Sequence, residues 1–363
     1  MLYKDYVERK TANAIRINSA EGYPCVFDNS KGKVLKDYKL YGNSTQDGRP
    51  TPDNPIEIQS VGDLVADETS EYYGKYDIPI VVRGKNLIKY PYVTASRTMN
   101  GVKYTVNKDG SVTVVGTATA ASYFILNSNV DFGNSSIPEN STNGVYATSE
   151  GVRYNVSNHT VSINVASGET VDKIVYPQIE YGTTATEYEP YQGSETIHIY
   201  LDEPLRKVGD YADYIDFKKG KVVRNVVELN LLSEHVADLY TYKDMVGIRT
   251  IPILKERMNR RGGKCNRVES SNIGYFFNKN SVWLGVNTLM IYWLGILDIL
   301  GLSTINEFKE WLDNNPTYIY YGIDASVEED ISLPSLKTLQ GTNIISVATE
   351  IEPSYIEVKY IAK

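Results

Sequence analysis

Val102-Lys103-Tyr104-Thr105-Val106, Asn107-Lys108-Asp109-Gly110 and then Ser111-Val112-Thr113-Val114-Val115-Gly116-Thr117 hold the reading that decides the fold. The outer runs alternate apolar and polar residues, the pattern of strands whose side chains point to opposite faces in turn. The loop between them ends in Asp-Gly, which supplies the positive φ that a tight reversal needs. The stretch predicts a β-hairpin.

Working outward, residues 84–191 repeat this grammar. Short alternating segments are separated by turn residues every ~8–12 positions, the spacing of a β-sandwich or jelly roll. Strands are expected at 111–119, 160–165 and 173–180. The Ser/Asn/Gly-rich stretch 127–144 reads as loop. Strand-like runs also flank this region at 78–82 and 196–201. A sandwich has neighbouring termini and inserts into a loop of another domain at small cost. The expected organisation is therefore an N-terminal attachment segment (1–40), the first part of a discontinuous β domain (41–83), an inserted jelly roll (84–192) and the second part of the β domain (193–363).

In the outer domain, strands are expected at 14–17, 38–41, 56–61, 317–321, 343–348 and 355–361, with a hairpin over 211–229. The block from Gly42 to Pro55 is rich in turn formers, and Pro50, Pro52 and Pro55 forbid helix there. One helix is predicted near 304–315. Thr304 and Glu307 form a capping box, Ile305, Phe308, Trp311 and Leu312 share one face, and Asn314-Asn315-Pro316 ends it. The fold class expected is mainly β: jelly-roll or β-sandwich domains with one short C-terminal helix.

Composition supports this. The chain has 30 Tyr against 7 Phe and 3 Trp, and tyrosine favours half-buried pleated surfaces and wet interfaces. Net charge is −8, which disfavours nucleic acid, since phosphate neutralisation drives that binding. The densest basic cluster (Lys255, Arg257, Arg260, Arg261, Lys264, Arg267) is interrupted by glycines and reads as a solvated loop. The cysteines, Cys25 and Cys265, and the histidines, His159, His198 and His235, have no metal-ligand spacing. Two free thiols or one long-range disulfide both fit. The start, MLYKDYVERK, lacks a signal-peptide core. The apolar stretch 281–302 is broken by Gly285, Asn287, Gly295 and Asp298, so it reads as core and not as a membrane span.

Several phrases carry a resemblance. Gly42-Asn43-Ser44-Thr45-Gln46-Asp47-Gly48 followed by Pro50-Thr51-Pro52-Asp53-Asn54-Pro55-Ile56-Glu57-Ile58 resembles minor structural and baseplate or tail-fibre proteins of phages of Gram-positive bacteria (Firmicutes). So do Gly84-Lys85-Asn86-Leu87, Pro177-Gln178-Ile179-Glu180, Tyr188-Glu189-Pro190-Tyr191, Tyr200-Leu201-Asp202-Glu203-Pro204-Leu205-Arg206, residues 308–316 and Ile331-Ser332-Leu333-Pro334. The matches run in order over about 40–360, and the first 40 residues match only loosely. The resemblance implies a tail-tip, baseplate or fibre component made in the host cytoplasm and carried on the virion tail. It further implies contacts with other tail proteins, a homo-oligomer (a trimer by analogy) and a carbohydrate-binding-module-like insert.

Two functional classes remain to weigh against a purely structural role. Catalysis finds no anchor: 45 acidic residues offer no spacing that selects a pair, and no nucleophile elbow, Walker loop or dinucleotide fingerprint is present. Glycan binding needs an aromatic ring against a pyranose face and polar groups for its hydroxyls. Tyr92, Tyr123 and Tyr154, with Asn127 and Asp131, are the candidate carbohydrate-binding residues. Tyr90, Phe124, Tyr146 and Asn129 are further members of the same set, and each aromatic has core or interface packing as its competing reading. Cell-wall polysaccharide is the expected ligand. No cofactor is expected; Ca²⁺ would suit loop oxygens, although no loop carries a recognised calcium pattern.

Overall fold

The computed structural model describes residues 7–8, 14–17, 25–28, 34–130, 145–147, 152–155, 157–181, 187–242, 245–254, 263–269, 283–287, 290–333 and 342–361. It is mainly β, built from antiparallel sheets, one of them curled into a half barrel. That curled sheet has eight strands in the order Val7–Glu8, Ala14–Ile17, Tyr355–Ile361, Val34–Tyr41, Tyr214–Asp216, Lys221–Leu231, Thr317–Asp330 and Gly263–Cys265. A second sheet orders Ser194–Leu201, Tyr76–Gly84, Thr342–Val347 and Cys25–Asp28, with Asp63–Leu64 beside Tyr76–Gly84. The two share a core of Leu40, Ile78, Ile80, Ile199, Ile215, Val222 and Ile345.

Strands from before residue 84 and after residue 193 pair directly. Tyr76–Gly84 and Ser194–Leu201 run antiparallel over eight residues, from Arg83 with Ser194 to Tyr76 with Leu201. Val34–Tyr41 lies between Tyr214–Asp216 and Tyr355–Ile361. The first 40 residues, expected as a separate attachment segment, thus contribute strands to both sheets of this body.

Between these flanks, the described residues of 85–192 fold as a β-sandwich. One sheet orders Thr170–Val175, Val112–Thr117, Val102–Val106 and Arg97–Met99; the other orders Ser122–Asn127, Thr160–Val165 and Val152–Asn155. The hairpin forms as expected, with Val102 opposite Gly116 and Val106 opposite Val112. Tyr104 stacks on Phe124 across the two sheets, ring centroids 4.8 Å apart. Val112, Val114, Val161 and Ile163 complete the interior.

The helix Ile305–Asn314 is the predicted one. Thr304 Oγ1 accepts the Glu307 N–H at 3.2 Å, and the Glu307 carboxylate accepts the Thr304 N–H at 2.9 Å. Phe308 stacks on Trp311 and meets Trp293 edge-on, joining the helix to the sheet formed by Val236–Tyr242, Met245–Thr250, Met290–Leu294 and Trp283–Asn287. A one-turn helix, Ile296–Leu300, was not expected. Gly295, one of the residues read as an interruption, and Gly301 frame it; both sit in the left-handed region and close its ends.

Three expected strands are shorter. Residues 56–61 pair only from Gln59 on, as Gln59–Ser60 with Ser44–Thr45 and as a single bridge of Val61 with Leu205, because the Ile56 N–H is spent on the Asn266 carbonyl. The run 173–180 divides into Thr170–Val175 and Ile179–Tyr181, parted at Pro177. The run 211–217 breaks at Asp213, whose fully buried carboxylate accepts the N–H groups of Arg206, Asn225 and Val226 at 2.7–3.1 Å and meets Arg224 at 3.4 Å. Cys265 is a free, buried thiol; burial pushes it up to about 11.

Candidate functional site

The sandwich is fixed to the body by a buried polar neck, and the neck is built from the phrases that carried the resemblance. Lys85, Asn86, Gln178 and Glu180 are all buried there. Asn86 donates to the carbonyls of Pro177 (3.0 Å) and Glu189 (3.1 Å), and its own oxygen accepts the Ile88 N–H. Gln178 accepts the Glu189 N–H at 2.8 Å. Lys85 donates to the Glu187 carbonyl and pairs with the Glu189 carboxylate at 3.2 Å. The Leu87 N–H donates to the Ile179 carbonyl, and Gly84 to Gly193. Every buried amide here has a partner, as a dry polar cluster requires.

Beside the neck, three tyrosines clamp the hairpin turn. Tyr90 donates to the Asn107 carbonyl (3.2 Å), Tyr188 to Asp109 (2.9 Å) and Tyr92 to Gly110. Gly110 has φ +83°, and a Cβ there would lie 3.0 Å from the Tyr188 hydroxyl. Burial holds the Tyr92 and Tyr188 hydroxyls protonated, Tyr188 pushed up to about 12. Tyr92, a candidate platform from sequence, is thus half-buried and its hydroxyl is committed to the turn.

The open surface lies on the outer face of the three-stranded sheet. Phe124 points inward, so its neighbour Tyr123 points outward and is 52% exposed. Tyr123 sits opposite Asn164, Ile125 opposite Ser162, Arg153 also opposite Ser162, and Asn155 opposite Thr160. Ser162 Oγ donates to Asn164 Oδ1 at 2.7 Å and orients that amide. The result is one exposed aromatic ring, one half-buried aliphatic side chain, the amides of Asn164 and Asn155 and the Arg153 guanidinium, with Ser162 itself buried. This set can stack a sugar ring and bond its hydroxyls. Asn164, Ser162 and Arg153 were not singled out in the sequence. Their parity in Thr160-Val161-Ser162-Ile163-Asn164-Val165, opposite to that of the apolar residues, was the signal available.

The other candidates fall elsewhere. Tyr154 is 4% exposed; its hydroxyl donates to the Val130 carbonyl at 3.0 Å and meets His159 Nδ1 at 3.1 Å, so it is core and presents no ring face. Asn127 is buried, donating to the carbonyls of Lys89 and Leu126, which removes it as a ligand group. Phe124 is core. Asn129 is exposed at φ +56°. Asp131, the side chain of Tyr146 and the basic residues 255–261 lie outside the described residues. Tyr154 and Asn127 lie in strands, Val152–Asn155 and Ser122–Asn127, that were not expected from the sequence, and only the packing partner settles which face of a strand is inside.

The histidines are separate, each in its own bond: His198 with Asp77 at 2.9 Å, His159 with Tyr154, and His235 accepting the Leu232 N–H at 3.1 Å. Among the described residues no three or more His, Cys, Asp or Glu gather as a metal site, and no helix is long and apolar enough to cross a membrane. Carboxylates of the acidic runs Glu328-Glu329-Asp330 and Asp202-Glu203 are in ion pairs: Glu328 with Lys219 and Lys221, Glu329 with Arg224, Asp202 with Lys75. Compared with known protein families, with curated proteins and with solved structures, the chain matches none of them.

Proposed function

We propose that the chain is a non-catalytic structural subunit of the tail tip, baseplate or fibre of a phage, or phage-tail-like particle, of Gram-positive bacteria. Its role is assembly and attachment to the host surface. Its site is the virion tail, and its partners are other tail proteins and further copies of itself, three by analogy with the resembling proteins. The observation that supports this is the mounting of the sandwich. A neck of paired buried polar groups and eight residues of strand pairing anchor both of its ends in the body, while Tyr123 on one sheet face is exposed. A load on that face passes into the body through these paired groups, which suits an adhesive or spacing part. Immunogold labelling of particles from a producing strain tests the reading: label confined to the distal tail is the expected result, and label absent from particles overturns it.

A second reading, a dedicated receptor-binding adhesin, is favoured by Tyr123 and its polar rows. Arg153 gives that face one cation, which suits anionic wall polysaccharide. Isolated walls with and without their secondary polymers distinguish the two. Saturable binding lost on stripping and lost in Tyr123→Ala makes the chain an adhesin; no binding by a folded oligomer leaves the sandwich as a spacer.

A further inference from the structure

A groove of about 870 Å³ lies in the body where segment 55–64 meets strand Thr317–Asp330, remote from the sandwich face. Tyr76 and Tyr318 form ring walls, Gln59 offers an amide, and Glu57, Glu228 and Glu350 offer carboxylates. Asp63 is a fourth acid, its carboxylate accepting the Glu350 N–H at 3.0 Å. Arg267 is the one cation in the lining, and it is engaged elsewhere: its guanidinium donates to the carbonyls of Pro52 and Pro316 and lies 5.0 Å from the centre of the Trp311 ring. Arg206 neutralises Glu228 at 2.7 Å. Glu57 and Glu350 have no ion-pair partner among the described residues, so the groove keeps uncompensated negative charge at two points.

We propose that this groove binds an amine-bearing saccharide. A pyranose face packs on the Tyr76 and Tyr318 rings, its hydroxyls bond Gln59, and its ammonium group meets Glu57 or Glu350. An added peptide strand is disfavoured by the sheet itself. Ile319, Tyr320 and Tyr321 are already paired on both sides, with Leu229, Glu228 and Val227 on one and Cys265, Lys264 and Gly263 on the other. Along that stretch of Thr317–Asp330 no edge is open for backbone addition. Anionic wall polymers are repelled by the same carboxylates, so the groove and the Tyr123 face select opposite charges. This inference does not depend on the chain's place in a particle.

Calorimetric titration of the full chain with a β-linked glucosamine hexamer and with its N-acetylated counterpart tests it. Saturable binding of the free-amine form is expected, with the acetylated form about tenfold weaker. Glu57→Gln and Glu350→Gln should each weaken binding by up to about fivefold, the size of an exposed ion pair. Tyr318→Ala should abolish binding, and Tyr123→Ala should leave it unchanged. Equal affinity for both hexamers, no saturable binding by the folded chain, or a loss in Tyr123→Ala without a loss in Tyr318→Ala overturns the proposal. Tighter binding of a trilysine peptide that displaces the hexamer assigns the groove to peptide instead.

Discussion

The sandwich and the body are both antiparallel β, yet they are held together differently. In the sandwich the central hairpin joins strands adjacent in sequence, Val102–Val106 and Val112–Thr117, and the interior is almost wholly apolar, with Tyr104 and Phe124 stacked at its centre. In the body, neighbouring strands come from distant parts of the chain: Val34–Tyr41 lies between Tyr214–Asp216 and Tyr355–Ile361. There, buried polar groups sit at the junctions. Asp213 gathers Arg206, Arg224, Asn225 and Val226. Gln46 donates to the carbonyls of Ile56 and Cys265, and Ser44 accepts the Lys207 N–H. Where alternation and a short turn already set register, apolar burial suffices. Where segments meet after long loops, directional bonds select the pairing. The neck shows both regimes meeting, since it closes an apolar sandwich with a polar lock.

The largest test of this difference is Asp213→Ala. It strands the N–H groups of Arg206, Asn225 and Val226 and removes one partner of the buried Arg224 guanidinium, which keeps Glu329 and the carbonyls of Pro204 and Glu203. The body should therefore lose about 3–5 kcal/mol. Denaturant unfolding followed by hydrogen exchange should show that loss in Lys221–Leu231 and Tyr214–Asp216 while the sandwich amides keep their protection. Equal loss in both regions would mean that they unfold as one unit.

Asn86→Ala should cost about 1–3 kcal/mol by leaving the neck carbonyls and the Ile88 N–H unpaired. The two regions should then melt further apart in calorimetry; an unchanged thermogram would show that strand pairing alone carries the neck. Thr304→Ala should cost about 1 kcal/mol, confined to the helix Ile305–Asn314. The partner group, Glu307, is held below the usual glutamate range chiefly by the N–H groups of Ser303 and Thr304. Its contribution is therefore present above the unfolded glutamate value and is lost as pH falls through the lowered one. Helix amide protection measured across that acid range checks the sign. Tyr123→Ala should change stability by less than about 0.5 kcal/mol, as expected for an exposed ring. Circular dichroism melting checks this, and a larger change would make Tyr123 part of the fold.

Particular elements show how far the chain could be read unaided. The hairpin at 102–117, the strands Thr160–Val165 and Tyr355–Ile361, and the Thr304–Glu307 capping box all stand where local pattern puts them. Each depends on residues within a few positions of one another. Tyr123 among the site candidates was also legible, and its structural position is exposed. Tyr154 and Asn127 were not: both look like surface polar or amphipathic residues, but Val130 and Lys89, far along the chain, supply carbonyls that let them be buried. The breaks at Asp213 and Ile56 have the same origin, since their partners lie between 7 and 210 residues away.

By itself, then, the sequence determined the β class, the hairpin and the capped helix. Those follow from the short-range geometry of strands, turns and helix ends. Only the tertiary structure decided which face is covered, that the Lys85–Asn86 and Gln178–Glu189 phrases close on one another as a neck, and that Glu57 and Glu350 are left facing a groove without partners. Burial and hydrogen-bond satisfaction are properties of surfaces brought together from distant parts of the chain, and no local pattern specifies them.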